Sequence, residues 1–100
     1  MVSRPTGRKA LDGAVAMGEN LVAWRKLLRL TAAQVADRAG IARGTLARLE
    51  HGDPGVNVAA LLSVANALGQ LDRLVDATDP YLTDFGRARA EQALPQRVRR

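Results

Sequence analysis

The chain has 100 residues, no cysteine, a formal net charge of +5 and a hydrophobic fraction of 47% that includes one Trp, one Tyr and one Phe. This length suits one compact domain with tails, and the absence of cysteine excludes disulfides, zinc ribbons and thiol nucleophiles. No apolar run approaches the ~20 residues of a membrane span, and the N-terminus MVSRPTGRKA lacks the apolar stretch of a signal peptide. We therefore expect a protein that stays in the cytoplasm. The apolar residues, mainly Ala, Leu and Val, predict an all-α fold.

The charges are unevenly distributed along the chain. Residues 1–50 carry nine basic and four acidic side chains, residues 51–86 carry one basic and five acidic, and residues 87–100 carry five basic and one acidic. A basic half is the electrostatic pattern expected of a protein that binds a polyanion, but proteins that touch no nucleic acid share it. Charge alone therefore does not decide between DNA binding and a merely basic surface.

A flexible basic arm over residues 1–13 is the first predicted element. It contains Pro5, Gly7 and Gly13 and shows no helical periodicity. From about residue 14 to residue 29, apolar side chains recur at spacings of four, three and four, which predicts an amphipathic first helix. The members of this apolar stripe are Met17, Leu21, Trp24 and Leu28.

The second helix has clear signals at both ends. Thr31 and Gln34 have the Thr-x-x-Gln spacing of a capping box, which satisfies backbone donors at a helix start. The helix is expected to run to about Arg38. Gly40 follows, and glycine adopts the left-handed conformation that ends a helix without steric penalty.

A third and a fourth helix are predicted after this turn. The third begins at Ile41 and ends near His51, and the segment DPG that follows is typical of a turn. Asn57 is a suitable N-cap for the fourth helix, which ends at Gly69. Its apolar residues at helical spacing are Val58, Leu61, Leu62, Ala65 and Leu68.

The last predicted elements are less regular. Leu71 and Leu74 favour a fifth short helix that ends before Asp79, although a strand over residues 70–75 also fits so few residues. Residues 79–100 contain fewer apolar side chains and are expected to form a basic C-terminal tail, partly helical or extended.

The segment TAAQVADRAGIARGTLARLEHG resembles the helix-turn-helix of the phage-repressor-like regulators, the XRE family, and the likeness extends from about Gly18 to Gly69. The resemblance implies a five-helix DNA-binding domain, which we place over residues 14–78. It further implies a transcriptional repressor of the bacterial cytoplasm and nucleoid that binds a palindromic DNA operator as a homodimer.

The third helix is expected to enter the major groove, where base edges display a distinct pattern of donors and acceptors. With Leu46 and Leu49 facing inward, its outward face carries Arg43 and Arg48, which we assign to bases. Thr45 suits phosphate oxygens, and His51 is a helix-end residue within reach of a phosphate. The complete predicted DNA-binding set is Thr31, Gln34, Ala42, Arg43, Gly44, Thr45, Arg48 and His51.

Several positions refine what the resemblance implies. Ala32 stands where family members often carry a phosphate-binding Gln, and Ala42 replaces the usual Ser cap of the third helix. Gly44 costs roughly 1 kcal/mol relative to Ala inside a helix, and it either lets the backbone approach a base closely or reflects drift at an exposed position. The resemblance also implies an ion pair between Arg25 and Glu50, which would fix the angle of the third helix.

The C-terminal segment leaves two interpretations open. Its acidic-to-basic pattern, ending in LPQRVRR, resembles the C-terminal regions of HipB-like antitoxins, for which a HipA-type kinase toxin would be a partner. The alternative is an unstructured basic tail that adds non-specific DNA affinity. We expect a dimer or partner surface after Gly69, and its candidate residues are Leu71, Leu74, Val75, Tyr81 and Phe85.

Enzymes form the contrasting class. The sequence shows no paired carboxylates, Ser-His-Asp set, Gly-rich phosphate loop or metal-ligand cluster, so we predict no enzyme activity, no cofactor and no metal. The competing hypothesis is a helical protein-interaction module that neutralises a partner and binds DNA only non-specifically.

Overall fold

The computed structural model describes residues 4–98 of the chain, and the side chains of residues 4–92. Over this range it contains six α-helices, one short 3₁₀ turn and no β-strand, which confirms the all-α class. The helices are α1 (Arg8–Leu27), α2 (Ala32–Ala39), α3 (Arg43–Glu50), α4 (Val58–Ala67), α5 (Leu71–Asp76) and α6 (Asp84–Val98), and the 3₁₀ turn spans Pro80–Leu82. The segment after Gly69 is therefore helix rather than strand. None of the helices in this range has the length and apolarity to cross a membrane.

Helix α1 begins earlier than its apolar stripe predicts. Its first residue is Arg8, so residues 8–13 of the expected flexible arm are helical, and residues 1–3 of that arm lie outside the described range. The physical reason is that Ala10 and Leu11 are strong helix formers, so propensity extends the helix where the stripe has ended. Arg8 and Asp12, 4.0 Å apart at i,i+4 spacing, add a small exposed contribution.

Local capping chemistry sets the ends of the middle helices as expected. Thr31 Oγ1 accepts from the Gln34 backbone N–H at 3.1 Å, and Gln34 Oε1 accepts from the Thr31 backbone N–H at 2.9 Å, which completes the capping box. Gly40 ends α2 with a left-handed φ of +69°. Asn57 Oδ1 accepts from the Ala60 N–H at 2.8 Å and caps α4.

Helix α3 begins at Arg43 rather than at Ile41. Ala42 is its N-cap, with extended backbone and no side-chain hydrogen bond, because a methyl group cannot accept one. Ile41 lies before the helix and packs against the hydrophobic core. The turn between α2 and α3 is correspondingly tight, residues 40–42.

The core is formed by one face of each of the first four helices. Val35 on α2, Leu46 on α3 and Val64 on α4 are its most completely buried side chains. The remaining members of the core cluster are Leu21, Ala36, Leu49 and Leu68. Because α3 contributes both Leu46 and Leu49, its opposite face is left to the solvent.

The C-terminal segment is helical and projects from this core. Helix α6 packs on the 3₁₀ turn, and Thr83 Oγ1 accepts from the Gly86 N–H at 3.0 Å to cap it. Gly86 lies directly on the carbonyl of Pro80, where a Cβ would clash. The radius of gyration is 17.6 Å, against about 13 Å for a compact chain of this length. Of the two conformations expected for the tail, the helical one is found, while the side chains of LPQRVRR lie outside the described range.

Candidate nucleic-acid interface

The outward face of α3 is an exposed strip of small residues flanked by two arginines. Arg43, Gly44, Ala47 and Arg48 are all exposed, whereas Leu46 is buried on the opposite side. At 3.6 residues per turn, Gly44 and Ala47 occupy the middle of this face and the two arginines lie about 140° apart at its edges. The arginines therefore share an exposed side of the helix but reach in different directions from it.

Helix α3 is held against α1 by an ion pair and a close backbone contact. Arg25 donates from Nε to Glu50 Oε2 at 2.9 Å and from Nη2 to Glu50 Oε1 at 3.1 Å. The two side chains are only 16% and 10% exposed, and the hydrogen bond to Glu50 raises the pKa of Arg25 above its ordinary value. The structure thus brings together the two residues that the resemblance paired.

Gly18 allows the backbone of α1 to pack closely against the end of α3. A Cβ at Gly18 would lie 2.5 Å from the carbonyl oxygen of Glu50 and 2.7 Å from that of Leu49. Only a glycine lets the α1 backbone approach the end of α3 this closely. The carboxylate and the backbone of Glu50 are therefore both fixed by α1, which sets the direction in which α3 points.

Arg48 has a partner that the sequence reasoning missed. Its Nε donates to Asp53 Oδ2 at 2.8 Å, and the Gly55 N–H donates to Asp53 Oδ1 at 2.7 Å. The hydrogen bond from Arg48, followed by that from Gly55, holds the pKa of Asp53 below its ordinary value. The available signal was an acid five residues after a helix-end arginine, within a segment already expected to turn.

The other predicted DNA-binding side chains have different surroundings. Thr31 and Gln34 are exposed but hydrogen-bond to each other's backbone in the capping box. Thr45 is half-buried in a shallow cleft of about 360 Å³ between α3 and the start of α4. His51 is exposed, and its Nδ1 lies 2.7 Å from the carbonyl oxygen of Ala47. Thr45 thus lies on the half-buried side of α3, and the other three residues lie outside this helix.

The expected dimer or partner surface divides into two parts. Leu71 and Leu74 are half-buried, and Leu74 lines a groove of about 370 Å³ with Trp24 of α1. Val75, Tyr81 and Phe85 remain 55%, 60% and 69% exposed. The Arg89 guanidinium lies 4.9 Å above the Phe85 ring and covers only part of it. Leu82, 57% exposed beside these aromatic residues, was not among the candidates.

A short helix presented by a tight turn, packed on a second short helix and bearing two exposed arginines, defines a helix-turn-helix DNA-binding protein. Comparison with protein-family models gave a match to the family described as Helix-turn-helix over residues 21–74. Because this match covers more than half of the chain, the protein belongs to that family and is a helix-turn-helix transcription regulator of the XRE type. Comparison with curated proteins and with solved structures gave no match.

Among the described side chains, those of residues 4–92, no three His, Asp or Glu residues are grouped in a way that could hold a metal ion. The family itself is a DNA-binding regulatory family and not an enzymatic one.

Proposed function

We propose that the protein is a sequence-specific transcriptional repressor that binds a palindromic operator as a homodimer, with α3 in the major groove. The observation that carries the proposal is the exposed face of α3, where Arg43 and Arg48 flank Gly44 and Ala47. An Arg fork can donate to both major-groove acceptors of guanine, which provides about 1–3 kcal/mol of discrimination. Small side chains between two such forks let the helix axis approach the base edges.

Phosphate contacts would come from the residues around α3. Thr45 on the half-buried side of α3 and His51 just after its end are suited to phosphate oxygens, while α2 would lie across the DNA backbone. Such contacts fix the position of the protein on the duplex but carry no sequence information. Specificity therefore depends on the α3 arginines and on the angle that Arg25 and Glu50 impose on this helix.

The homodimer follows from the small size of one reading helix. One α3 contacts only a few base pairs, which cannot distinguish an operator from the competing sites of a genome. Two copies related by a two-fold axis would contact half-sites about 34 Å apart. The exposed Val75, Tyr81 and Phe85 are the surface that we assign to this assembly.

The experiment selects bound duplexes from a random library and then measures the affinity of each variant by fluorescence anisotropy at fixed salt. Arg43→Ala and Arg48→Ala should each weaken operator binding by ~1–3 kcal/mol and leave binding to random duplex almost unchanged. Lys9→Ala, which removes an exposed charge at the start of α1, is the matched control. Equal weakening on both duplexes would assign the arginines to phosphates, and sequence-blind binding by the unmodified protein would favour the protein-interaction module instead.

A role as a HipB-like antitoxin is the finer proposal for the C-terminal segment. It is supported by the projecting α6 and by the exposed Tyr81, Leu82 and Phe85 at its base. The test is co-expression with the kinase-like protein of a neighbouring reading frame, followed by size-exclusion chromatography. A complex that Leu82→Ser abolishes while the homodimer persists would support the proposal, whereas a neighbouring frame of any other type would remove it.

A further inference from the structure

We propose that Asp53 is a specificity-determining residue that positions the Arg48 guanidinium for end-on recognition of guanine. The inference rests on the proposed function, in which α3 contacts base edges. Asp53 lies beyond the end of α3, in the turn before α4, and would act on DNA through Arg48 instead of contacting a base. No other residue in the described range donates to or accepts from the Arg48 side chain.

Asp53 is anchored to the backbone at two points. Its own N–H donates to the carbonyl oxygen of Arg48 at 2.9 Å, and its Oδ1 accepts from the Gly55 N–H at 2.7 Å. The remaining oxygen, Oδ2, accepts from Arg48 Nε at 2.8 Å. Because the backbone N–H and the Oδ1 of Asp53 are both hydrogen-bonded, its carboxylate is a rigid support for a guanidinium that would otherwise sample many rotamers.

The pairing leaves one end of the guanidinium available. An arginine has five N–H donors in a planar fork, and Asp53 accepts the one on Nε. In this planar group one N–H on Nη1 and one on Nη2 form the tip of the fork, and they point away from the edge that carries the Nε–H. Guanine presents two adjacent acceptors, N7 and O6, in the major groove, which match this tip, whereas adenine presents one acceptor and one donor. An approach through Nε is blocked, so the end-on pairing with guanine is favoured.

The same carboxylate acts against non-specific binding. The Asp53 side chain is 38% exposed and carries a negative charge on the face that would approach phosphates, where it opposes the electrostatic attraction common to every duplex. An Asp carboxyl is ionised at neutral pH at its ordinary pKa, and the hydrogen bond from Arg48 lowers that pKa further. Asp53 should therefore improve specificity in two ways: it pre-orders Arg48 and it weakens binding to unrelated DNA.

A purely stabilising ion pair would behave differently. Arg48 is 55% exposed, and exposed pairs contribute little to folding because solvent screens them. A pair that only competed with DNA for Arg48 would, when broken, strengthen operator and random duplex together. Positioning of Arg48, stabilisation of the fold and competition with DNA therefore predict different results for Asp53→Ala.

The experiment compares dissociation constants for the selected operator, for an operator with one guanine changed, and for random duplex. Asp53→Ala should lower the ratio of operator to changed-operator affinity by about five- to tenfold, the lower part of what one bidentate contact provides. Binding to random duplex should be unchanged or tighter. Asp53→Asn should recover part of the ratio, since an amide oxygen still accepts from Nε. Asp76→Ala, which removes an exposed acid from α5, is the charge-matched control and should leave the ratio unchanged.

The Arg48→Ala background shows whether Asp53 acts through Arg48. There, adding Asp53→Ala should change the ratio less than twofold. A further loss in that background would mean that Asp53 contacts a base itself, and it would overturn the inference. An unchanged ratio for Asp53→Ala alone, or equal tightening on all duplexes, would overturn it too. If the unmodified protein shows no preference for any selected duplex, the proposed function fails and this inference fails with it.

Discussion

Gly18 and Glu50 meet backbone to backbone: a Cβ on Gly18 would stand 2.5 Å from the Glu50 carbonyl oxygen. The Glu50 side chain is held at the same time by Arg25 through two hydrogen bonds. Helix α1 thus contacts both the backbone and the side chain of Glu50 at the end of α3. The orientation of the proposed DNA-contacting helix depends on this junction, and its two components can be tested separately.

Gly18→Ala should destabilise the fold by about 1–2 kcal/mol, the cost of the forced backbone contact less the gain in helix propensity. Forcing an extra methyl into a packed contact costs typically 1–3 kcal/mol, and here the obstructing atoms are backbone oxygens that cannot rotate away. The higher helix propensity of Ala, roughly 1 kcal/mol, offsets part of this cost. Gly13→Ala is the matched control, because nothing lies within 4 Å of its Cβ position on the same helix, and it should stabilise slightly. Urea denaturation measures both, and equal stability for the two variants would contradict the close contact.

Glu50→Ala should lower the free energy of unfolding by ~3 kcal/mol, because it leaves Arg25 charged and largely buried without its acceptor. The double variant Arg25→Met/Glu50→Met should recover most of that loss, since no unpaired charge remains. Glu19→Ala, which removes an exposed acid from α1, should leave the free energy of unfolding nearly unchanged. A double-mutant cycle by thermal and urea denaturation gives the coupling, and additive losses would mean that the pair contributes nothing.

The pKa of Asp53 should rise when Arg48 is removed. In the folded protein the Arg48 and Gly55 hydrogen bonds depress this pKa, so the pair contributes stability above the unfolded-state pKa and loses it as the pH falls through the folded value. NMR titration of the Asp53 carboxyl carbon should give a higher midpoint in Arg48→Ala than in the unmodified protein. Arg43→Ala, which removes the other α3 arginine, should leave the midpoint where it was. A midpoint that does not respond to Arg48 would mean that the pair does not form in solution.

Tyr81→Ser/Phe85→Ser should weaken self-association at least tenfold, since buried aromatic side chains each carry more than about 1 kcal/mol at a contact. Both residues are exposed, so the fold of the monomer should be unaffected. Light scattering across a concentration series measures the change. Leu27→Ser is the control, an apolar residue 76% exposed on α1 and outside the predicted surface. A full-length monomer at micromolar concentration would contradict the dimer.

The features that could be predicted are those whose partners lie close in sequence. The capping box of Thr31 and Gln34, the left-handed Gly40 and the Asn57 cap each involve groups within four residues, so their chemistry is the same wherever the helix is placed. The inward spacing of the core residues on α3 also follows from helical periodicity alone. The Arg25 and Glu50 pairing came from the family resemblance, which carries information about distant contacts that one sequence does not.

The remaining features depend on how the chain folds beyond a single helix. The contact of Gly18 with α3 and the half-burial of Thr45 arise only when helices pack, and no local pattern encodes the distance between two axes. The pairing of Arg48 with Asp53 requires the chain to turn back after α3, which fixes a rotamer that the spacing of the two residues leaves open. The positions of the helices and the exposed face of α3 could therefore be predicted from local chemistry. The directions of α3 and of the Arg48 side chain could not, because orientation depends on contacts made outside one helix.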